Sequence, residues 1–171
     1  NSPEDMWALD RNKKEPDTGK SEADIKYEEY MVYYNLGNAQ FKLNKFEQAI
    51  ESYKRALDIN PALEDANENI ARSMIALERI NEAIDYFRKV VESDHNNYRV
   101  HFIIGKLYYE VKRYDESIAA LGEAIRIKPA LKEAYELLGQ VFAKVGRHED
   151  AIGSFNKLLK LEPQDYKAHY S

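Results

Sequence analysis

Apolar residues recur at intervals of three and four along most of the chain, which is the spacing that places them on one face of an α-helix. The pattern comes in short segments that are joined in pairs by a few polar residues, and several pairs end near a proline. Each pair of segments therefore predicts a helical hairpin. The predicted pairs are 30–43 with 47–59, 64–77 with 81–93, 98–111 with 115–127, and 132–145 with 149–161.

The four hairpins repeat with a period of 34 residues. One position of the repeat is isoleucine in every unit, and another is always a small residue. A further position is proline in units one, three and four and His95 in unit two. One supersecondary unit is therefore repeated four times, over 30–63, 64–97, 98–131 and 132–165. The identical and small residues are Ile50, Ile84, Ile118 and Ile152, and Gly37, Ala71, Gly105 and Gly139.

The small residues have a steric reason. Gly37 on the first helix and Ala49 on the second allow the two helix axes of a hairpin to approach closely. Large side chains such as Tyr33, Leu36 and Tyr53 then fill the remaining space. A single hairpin cannot cover this apolar face, and each fully buried large side chain contributes about 1.5–3 kcal/mol, so we expect neighbouring units to stack.

These residues resemble the tetratricopeptide repeat, a family of helical hairpins of the same length. The resemblance covers about four-fifths of the chain and implies an all-α fold, a right-handed superhelical solenoid that serves as a protein-binding scaffold. Unit one matches through Tyr33, Leu36, Gly37, Ala49, Tyr53, Ala56 and Pro61, unit three through Ile104, Gly105, Tyr108, Ala124 and Pro129, and unit four through Tyr135, Leu138, Gly139, Phe142, Ala151, Phe155 and Pro163. Unit two is the weakest match but keeps Ala83, Ile84 and Phe87 in register.

Composition and charge narrow the possible partners. The chain is 44% hydrophobic and 32% charged and has no cysteine, which is typical of a protein with an ordinary core and not of a disulfide scaffold. No apolar run is long enough for a transmembrane helix, so we expect no membrane insertion. Residues 1–29 hold nine acidic and five basic residues, while the rest is almost neutral, so nucleic acid is not a predicted partner.

Two segments lie outside the repeats. Residues 1–24 form a polar tail with a short helix predicted near 3–10 and a linker over 10–24, and the repeat region is assigned to 25–165. Met6, Trp7 and Leu9 make a short apolar edge in the tail, which is either disordered or a docking motif for this chain, a second copy or another protein. Residues 166–171 begin a further helix in the same register.

The resemblance further implies that the leading helix of each unit lines a concave groove. Asn35 and Asn69 occupy the same position in successive units, where an amide can bond to an extended peptide backbone. Arg72, Arg99 and Lys106 are expected to form a basic centre. The predicted groove residues are Met31, Tyr34, Asn35, Asn38, Phe41, Lys42, Asp65, Glu68, Asn69, Arg72, Ile75, Arg99, Phe102, Ile103, Lys106, Tyr109, Glu133, Glu136, Leu137, Gln140 and Lys144.

The predicted ligand is a peptide with an acidic residue flanked by apolar ones. Basic side chains would pair with the acid, and Tyr34, Phe102 and Tyr109 offer flat apolar contacts. Some relatives clamp the acidic tail of heat-shock chaperones with two asparagines and three basic residues. That pattern is incomplete here, because Tyr34 and Ile103 stand where basic residues are needed, so this particular ligand is disfavoured.

No catalytic or cofactor-binding pattern occurs in the sequence. It has no cysteine nucleophile, no glycine-rich phosphate loop and no Gly-x-Ser-x-Gly elbow. The four histidines are scattered, and no pair has the spacing of a helical metal site. We therefore expect neither an enzyme nor a metal or cofactor.

Three functions remain open at this stage. The preferred one is a non-catalytic adaptor that binds a peptide segment in its groove. The alternatives are a self-assembling module, whose groove or ends are occupied by its own tail or by a second copy, and the docking region of a larger enzyme such as a glycosyltransferase. The absence of cysteine leaves the compartment open, with a preference for the cytoplasm.

Overall fold

The structure, a computed structural model, describes residues 19–161, and every regular element in this range is an α-helix. Helices of odd number lead each unit and helices of even number follow, joined by short turns. The helices are α1 (Glu22–Lys42), α2 (Phe46–Ile59), α3 (Glu64–Ala76), α4 (Ile80–Ser93), α5 (Tyr98–Glu110), α6 (Tyr114–Ile127), α7 (Lys132–Lys144) and α8 (His148–Leu161). None of these helices is long and apolar enough to cross a membrane.

Each leading helix packs on its own trailing helix, and α3, α5 and α7 also pack on the trailing helix of the preceding unit, which gives the predicted right-handed solenoid. Most helix bounds agree with the prediction within about two residues. The predictions for Met6, Trp7 and Leu9, for the short helix near 3–10 and for residues 166–171 lie outside the described residues.

Helix α1 differs from the prediction because it begins at Glu22, eight residues before Tyr30. Ser21 and Asp24 form a capping box: the Ser21 hydroxyl oxygen accepts from the Asp24 amide at 3.1 Å, and the Asp24 carboxylate accepts from the Ser21 amide at 3.0 Å. These bonds satisfy amides that a helix start leaves unpaired. The end of the predicted 10–24 linker is therefore helical, although its residues are exposed and carry no apolar stripe.

The turn inside each hairpin has the same geometry in all four units. Its central residue adopts a left-handed conformation, with φ of 57° at Asn44, 59° at Glu78, 60° at Lys112 and 77° at Gly146. The amide that follows this residue bonds back into the last turn of the leading helix, as Lys45 does to the Gln40 carbonyl at 2.9 Å. This arrangement is a Schellman motif, and it sets the angle between the two helices of a unit.

The repeated isoleucine shows how the units stabilise one another. Ile50 and Ile84 are 5% and 2% exposed, because the leading helix of the next unit covers them. Ile152 occupies the same position in the fourth unit but is 60% exposed, since no described residue packs beyond it. Ile118 in the third unit is half-buried, so burial at this position is greater wherever a following unit packs on it.

Gly37 and Gly139 each lie against an aromatic ring of the trailing helix that leaves no room for a side chain. A Cβ built on Gly37 would lie 2.6 Å from Cε1 of Tyr53, and one on Gly139 would lie 2.7 Å from Cε1 of Phe155. Ala49 is fully buried as expected. However, the group that excludes a side chain at Gly37 is the Tyr53 ring.

We predict that Ile84→Ala costs about 2–5 kcal/mol of unfolding free energy, because it leaves a cavity between units two and three. The matched change Ile152→Ala removes the same atoms from an exposed site, so its expected cost is below about 1 kcal/mol. Urea denaturation followed by circular dichroism measures both. Equal losses for the two variants would contradict stacking as the source of stability.

Candidate functional site

The leading helices α1, α3, α5 and α7 lie side by side and form one wall of the solenoid. Among the described residues, the side chains predicted to face the groove line two pockets and one polar network on this wall. The three features follow one another from the first unit to the fourth. They bring together most, but not all, of the residues singled out from the sequence.

The polar network joins the first two units. The Tyr53 hydroxyl donates to Oδ1 of Asn38 at 2.9 Å, and Nδ2 of Asn69 donates to the Tyr34 hydroxyl at 3.2 Å and to Asn38 Oδ1 at 3.4 Å. Tyr34 and Tyr53 also pack ring against ring, with centroids 5.8 Å apart. These bonds fix α3 against α1 at this end of the groove.

The two predicted peptide-binding asparagines have different surroundings. Asn69 is half-buried and its amide nitrogen already has two protein acceptors. Asn35 is exposed on α1 and takes no part in the network. Asn35 is therefore accessible to a ligand, whereas Asn69 offers mainly its carbonyl oxygen.

The central pocket lies where α3 and α5 face the end of α1 and has a volume of about 400 Å³. Its floor is apolar, and two basic groups and one acid stand at its rim. Arg72 pairs with Glu68 on its own helix at 2.5 Å, so part of its charge is already compensated. The lining residues are Phe41, Arg72, Ile75, Phe87, Ile103, Lys106, Leu107 and Glu110.

The second pocket, the α5–α7 pocket, lies between the leading helices of units three and four and has a volume of about 380 Å³. It shares Lys106 and Glu110 with the central pocket, so the two pockets are adjacent. Its floor is aromatic and aliphatic, while its rim is mainly acidic. The lining residues are Phe102, Lys106, Tyr109, Glu110, Glu133, Glu136, Leu137 and Gln140.

The predicted basic centre is divided by the structure. Arg72 and Lys106 line the central pocket, but Arg99 is exposed near the start of α5 and lines neither pocket. Phe87, Leu107 and Glu110 were missing from the prediction. Phe87 and Leu107 stand at positions that the hairpin pattern assigns to the core. Glu110 has the same repeat position as the predicted groove residues Lys42 and Lys144, so the repeat period could have identified Glu110 as a groove residue.

The comparisons with known proteins agree with this architecture. Tetratricopeptide repeat patterns match residues 30–63, 64–97 and 132–165, and a further TPR repeat pattern matches residues 105–146. Together these matches cover well over half of the chain. The chain belongs to the tetratricopeptide repeat (TPR) family.

One curated relative of this TPR chain is a TPR repeat-containing protein of Methanocaldococcus jannaschii, 33% identical over 89 residues. The match covers 52% of this chain but only 26% of the relative, so the chain corresponds to about a quarter of that protein's length.

Solved structures share the TPR solenoid at low sequence identity. A crystal structure of MamA is 20% identical with a TM-score of 0.72, covering 96% of this chain and 86% of that one. A MamA fragment from Desulfovibrio magneticus has a TM-score of 0.70 at 20% identity, covering 80% and 77%. YrrB, described as a TPR protein with an unusual peptide-binding site, has a TM-score of 0.69 at 20% identity, covering 80% and 71%.

Burial raises the pKa of the Tyr53 hydroxyl from 10.0 to about 12, and the nearby Tyr34 adds to the shift. Tyr53 is only 1% exposed, and its neutral hydroxyl donates the bond to Asn38. The unfolded chain loses this proton near pH 10, before the folded TPR protein does. The contribution to stability is therefore complete below pH 10 and is lost as the pH rises toward 12.

We predict that stability falls by about 2 kcal/mol more in wild type than in Tyr53→Phe between pH 10 and 12, because the variant lacks this ionisable group. Urea denaturation at a series of pH values measures the unfolding free energy of both proteins. The contributions of the other tyrosines and of the lysines cancel in the difference, because both proteins contain them. Parallel pH profiles would show that Tyr53 titrates as an exposed phenol.

We predict that Asn38→Ala costs about 1–3 kcal/mol, because it leaves the buried Tyr53 hydroxyl without its acceptor. The control Asn35→Ala changes an exposed amide one helical turn away and should alter stability by less than about 0.5 kcal/mol. Thermal denaturation distinguishes the two. A second variant, Tyr53→Phe with Asn38→Ala, should recover part of the loss, since no unpaired hydroxyl remains.

Proposed function

We propose that this TPR protein is a non-catalytic scaffold that holds an extended peptide segment in its concave groove. The observation that carries the proposal is the pair of adjacent pockets, each with an apolar floor and a charged rim, on the wall formed by α3, α5 and α7. Such pockets receive alternate side chains of an extended peptide, while polar rim groups select among them. Membership of a family of repeat scaffolds supports the same function.

The central pocket favours a peptide with an acidic residue beside apolar ones. Lys106 is exposed at its rim, and the guanidinium of Arg72 can exchange its partner Glu68 for a ligand carboxylate. Phe41 and Ile103 provide apolar contact next to these charges. YrrB, which shares this fold, has a peptide-binding site, and this lends the proposal support by analogy.

A random peptide library selected on the wild-type protein tests this function. We expect the selected peptides to bind Lys106→Glu at least about tenfold more weakly, because Lys106 stands on the wall that both pockets share. The matched control Lys157→Glu makes the same charge change on the exposed face of α8 and should retain wild-type affinity. Fluorescence anisotropy of the labelled peptides measures the affinities.

Circular dichroism of each variant separates loss of binding from loss of folding. Both lysines are exposed, so both variants should keep wild-type helicity. Peptides that bind Lys106→Glu as tightly as wild type would place the binding surface outside the groove and overturn the proposal. Selection of peptides without acidic residues would overturn the proposed ligand chemistry alone.

A further inference from the structure

The charges of the groove change sign along its length. Arg72 and Lys106 outnumber Glu110 at the rim of the central pocket, whereas three acids outnumber Lys106 at the rim of the α5–α7 pocket. Each pocket has an apolar floor. A complementary peptide, followed from α3 toward α7, therefore has acidic residues first, apolar residues next and basic residues last. The three acids are Glu110, Glu133 and Glu136.

The N-terminal tail has this order of residues. Glu4 and Asp5 are followed by the apolar run Met6-Trp7-Ala8-Leu9, and residues 10–14 contain three basic residues against the single acid Asp10. The basic residues are Arg11, Lys13 and Lys14.

The length of this segment also fits the groove. In this pose the segment is extended and does not form the short helix predicted near 3–10. From Asp5 to Arg11 an extended chain spans about 20 Å, at roughly 3.3 Å per residue. Packed helices lie about 8–10 Å apart, and the leading helices approach one another less closely than they approach the trailing helices, so α3 and α7 lie at least about 20 Å apart. An extended tail can therefore place its acids beside α3 and its basic residues beside α7 at the same time.

We propose that residues 4–14 of one copy bind in the groove of a second copy, with Trp7 and Leu9 in the two pockets. This proposal rests on the groove function proposed above and names its occupant. Glu4 and Asp5 pair with Arg72 and Lys106, and the basic residues pair with the acids of the α5–α7 pocket.

The order of charges requires a second copy. With Lys14 beside α7, the five peptide steps that remain before Gly19, which precedes α1, span about 17 Å when fully extended. Helix α1 is three leading helices away from α7, or at least about 30 Å. The tail therefore cannot reach this pose in its own groove.

Such binding allows two kinds of assembly. The tail of the second copy binds either the first copy, which closes a two-fold dimer, or a third copy, which extends the assembly. In both cases the mass should rise with concentration.

Trp7 reports on this binding directly, because it is the only tryptophan of the chain. In the full-length protein we expect its emission to shift to shorter wavelength and to become protected from acrylamide as the concentration rises. The shift should follow the increase in mass measured by sedimentation velocity. Emission typical of exposed tryptophan at every concentration would overturn the proposal, and a blue shift that does not depend on concentration would overturn the assignment to a second copy.

Charge-reversal variants test whether the tail contacts the α5–α7 pocket. The double change Glu133→Lys and Glu136→Lys should raise the concentration at the midpoint of the Trp7 shift by about tenfold or more, because it replaces attraction by repulsion. The control Asp58→Lys with Glu92→Lys makes the same charge change at exposed positions of the trailing helices α2 and α4 and should leave the midpoint unchanged.

A tail variant reverses the basic charges with Arg11→Glu, Lys13→Glu and Lys14→Glu. It should assemble more weakly when the groove is wild type, and assembly should be restored when the groove also carries Glu133→Lys and Glu136→Lys. Failure of this rescue, or an equal effect of the control, would place the contact outside the α5–α7 pocket. The library experiment is independent of this result: if selected peptides still need Lys106 while Trp7 stays exposed, the groove function stands and only the tail proposal falls.

Discussion

The structure depends on the burial of one apolar face of each hairpin by the leading helix of the next. Ile50 and Ile84 are almost completely buried, while Ile152, in the same register, is mostly exposed. The hydrophobic effect rewards each such contact in proportion to the area removed from water. Because contacts of this kind recur where one unit meets the next, stability is a property of the stack and not of any one hairpin. At the fourth unit, Phe155 and Leu159 remain 37% and 64% exposed for the same reason.

This packing also creates the groove. Leading helices are held side by side because each fits against two trailing helices, and the spaces between them are the central pocket and the α5–α7 pocket. The floor of the central pocket includes Phe87 and Leu107, which belong to the core. The same residues therefore serve binding and folding. In contrast, substitutions of the exposed rim residues Lys106 and Glu110 can change which ligand binds without changing how the helices stack.

The polar residues of the groove have two distinct roles. Asn38, Asn69, Tyr34 and Tyr53 satisfy one another and hold the first two units in place, so their hydrogen bonds are part of the structure. The balance of charge at the pocket rims shifts from basic at the central pocket to acidic at the α5–α7 pocket. A surface of this kind distinguishes partners by the order of their charges and by the side of the groove on which each charge falls.

The sequence by itself determined the repeat, because helical hairpins with a strict period, an apolar face and a small residue where the helices cross must stack to bury that face. The resemblance to the TPR hairpin further assigned positions of the leading helices to the groove, and most of these side chains line the two pockets or the polar network. Only the tertiary structure decided how these residues combine: that Asn69 bonds to Tyr34 and Asn38, that Arg99 stands apart from Arg72 and Lys106, and that Ser21 starts α1 early. The repeat register places a side chain on one face of its helix and does so identically in every unit. Hydrogen bonds and pockets form between different helices, so they depend on distances that only the folded stack defines.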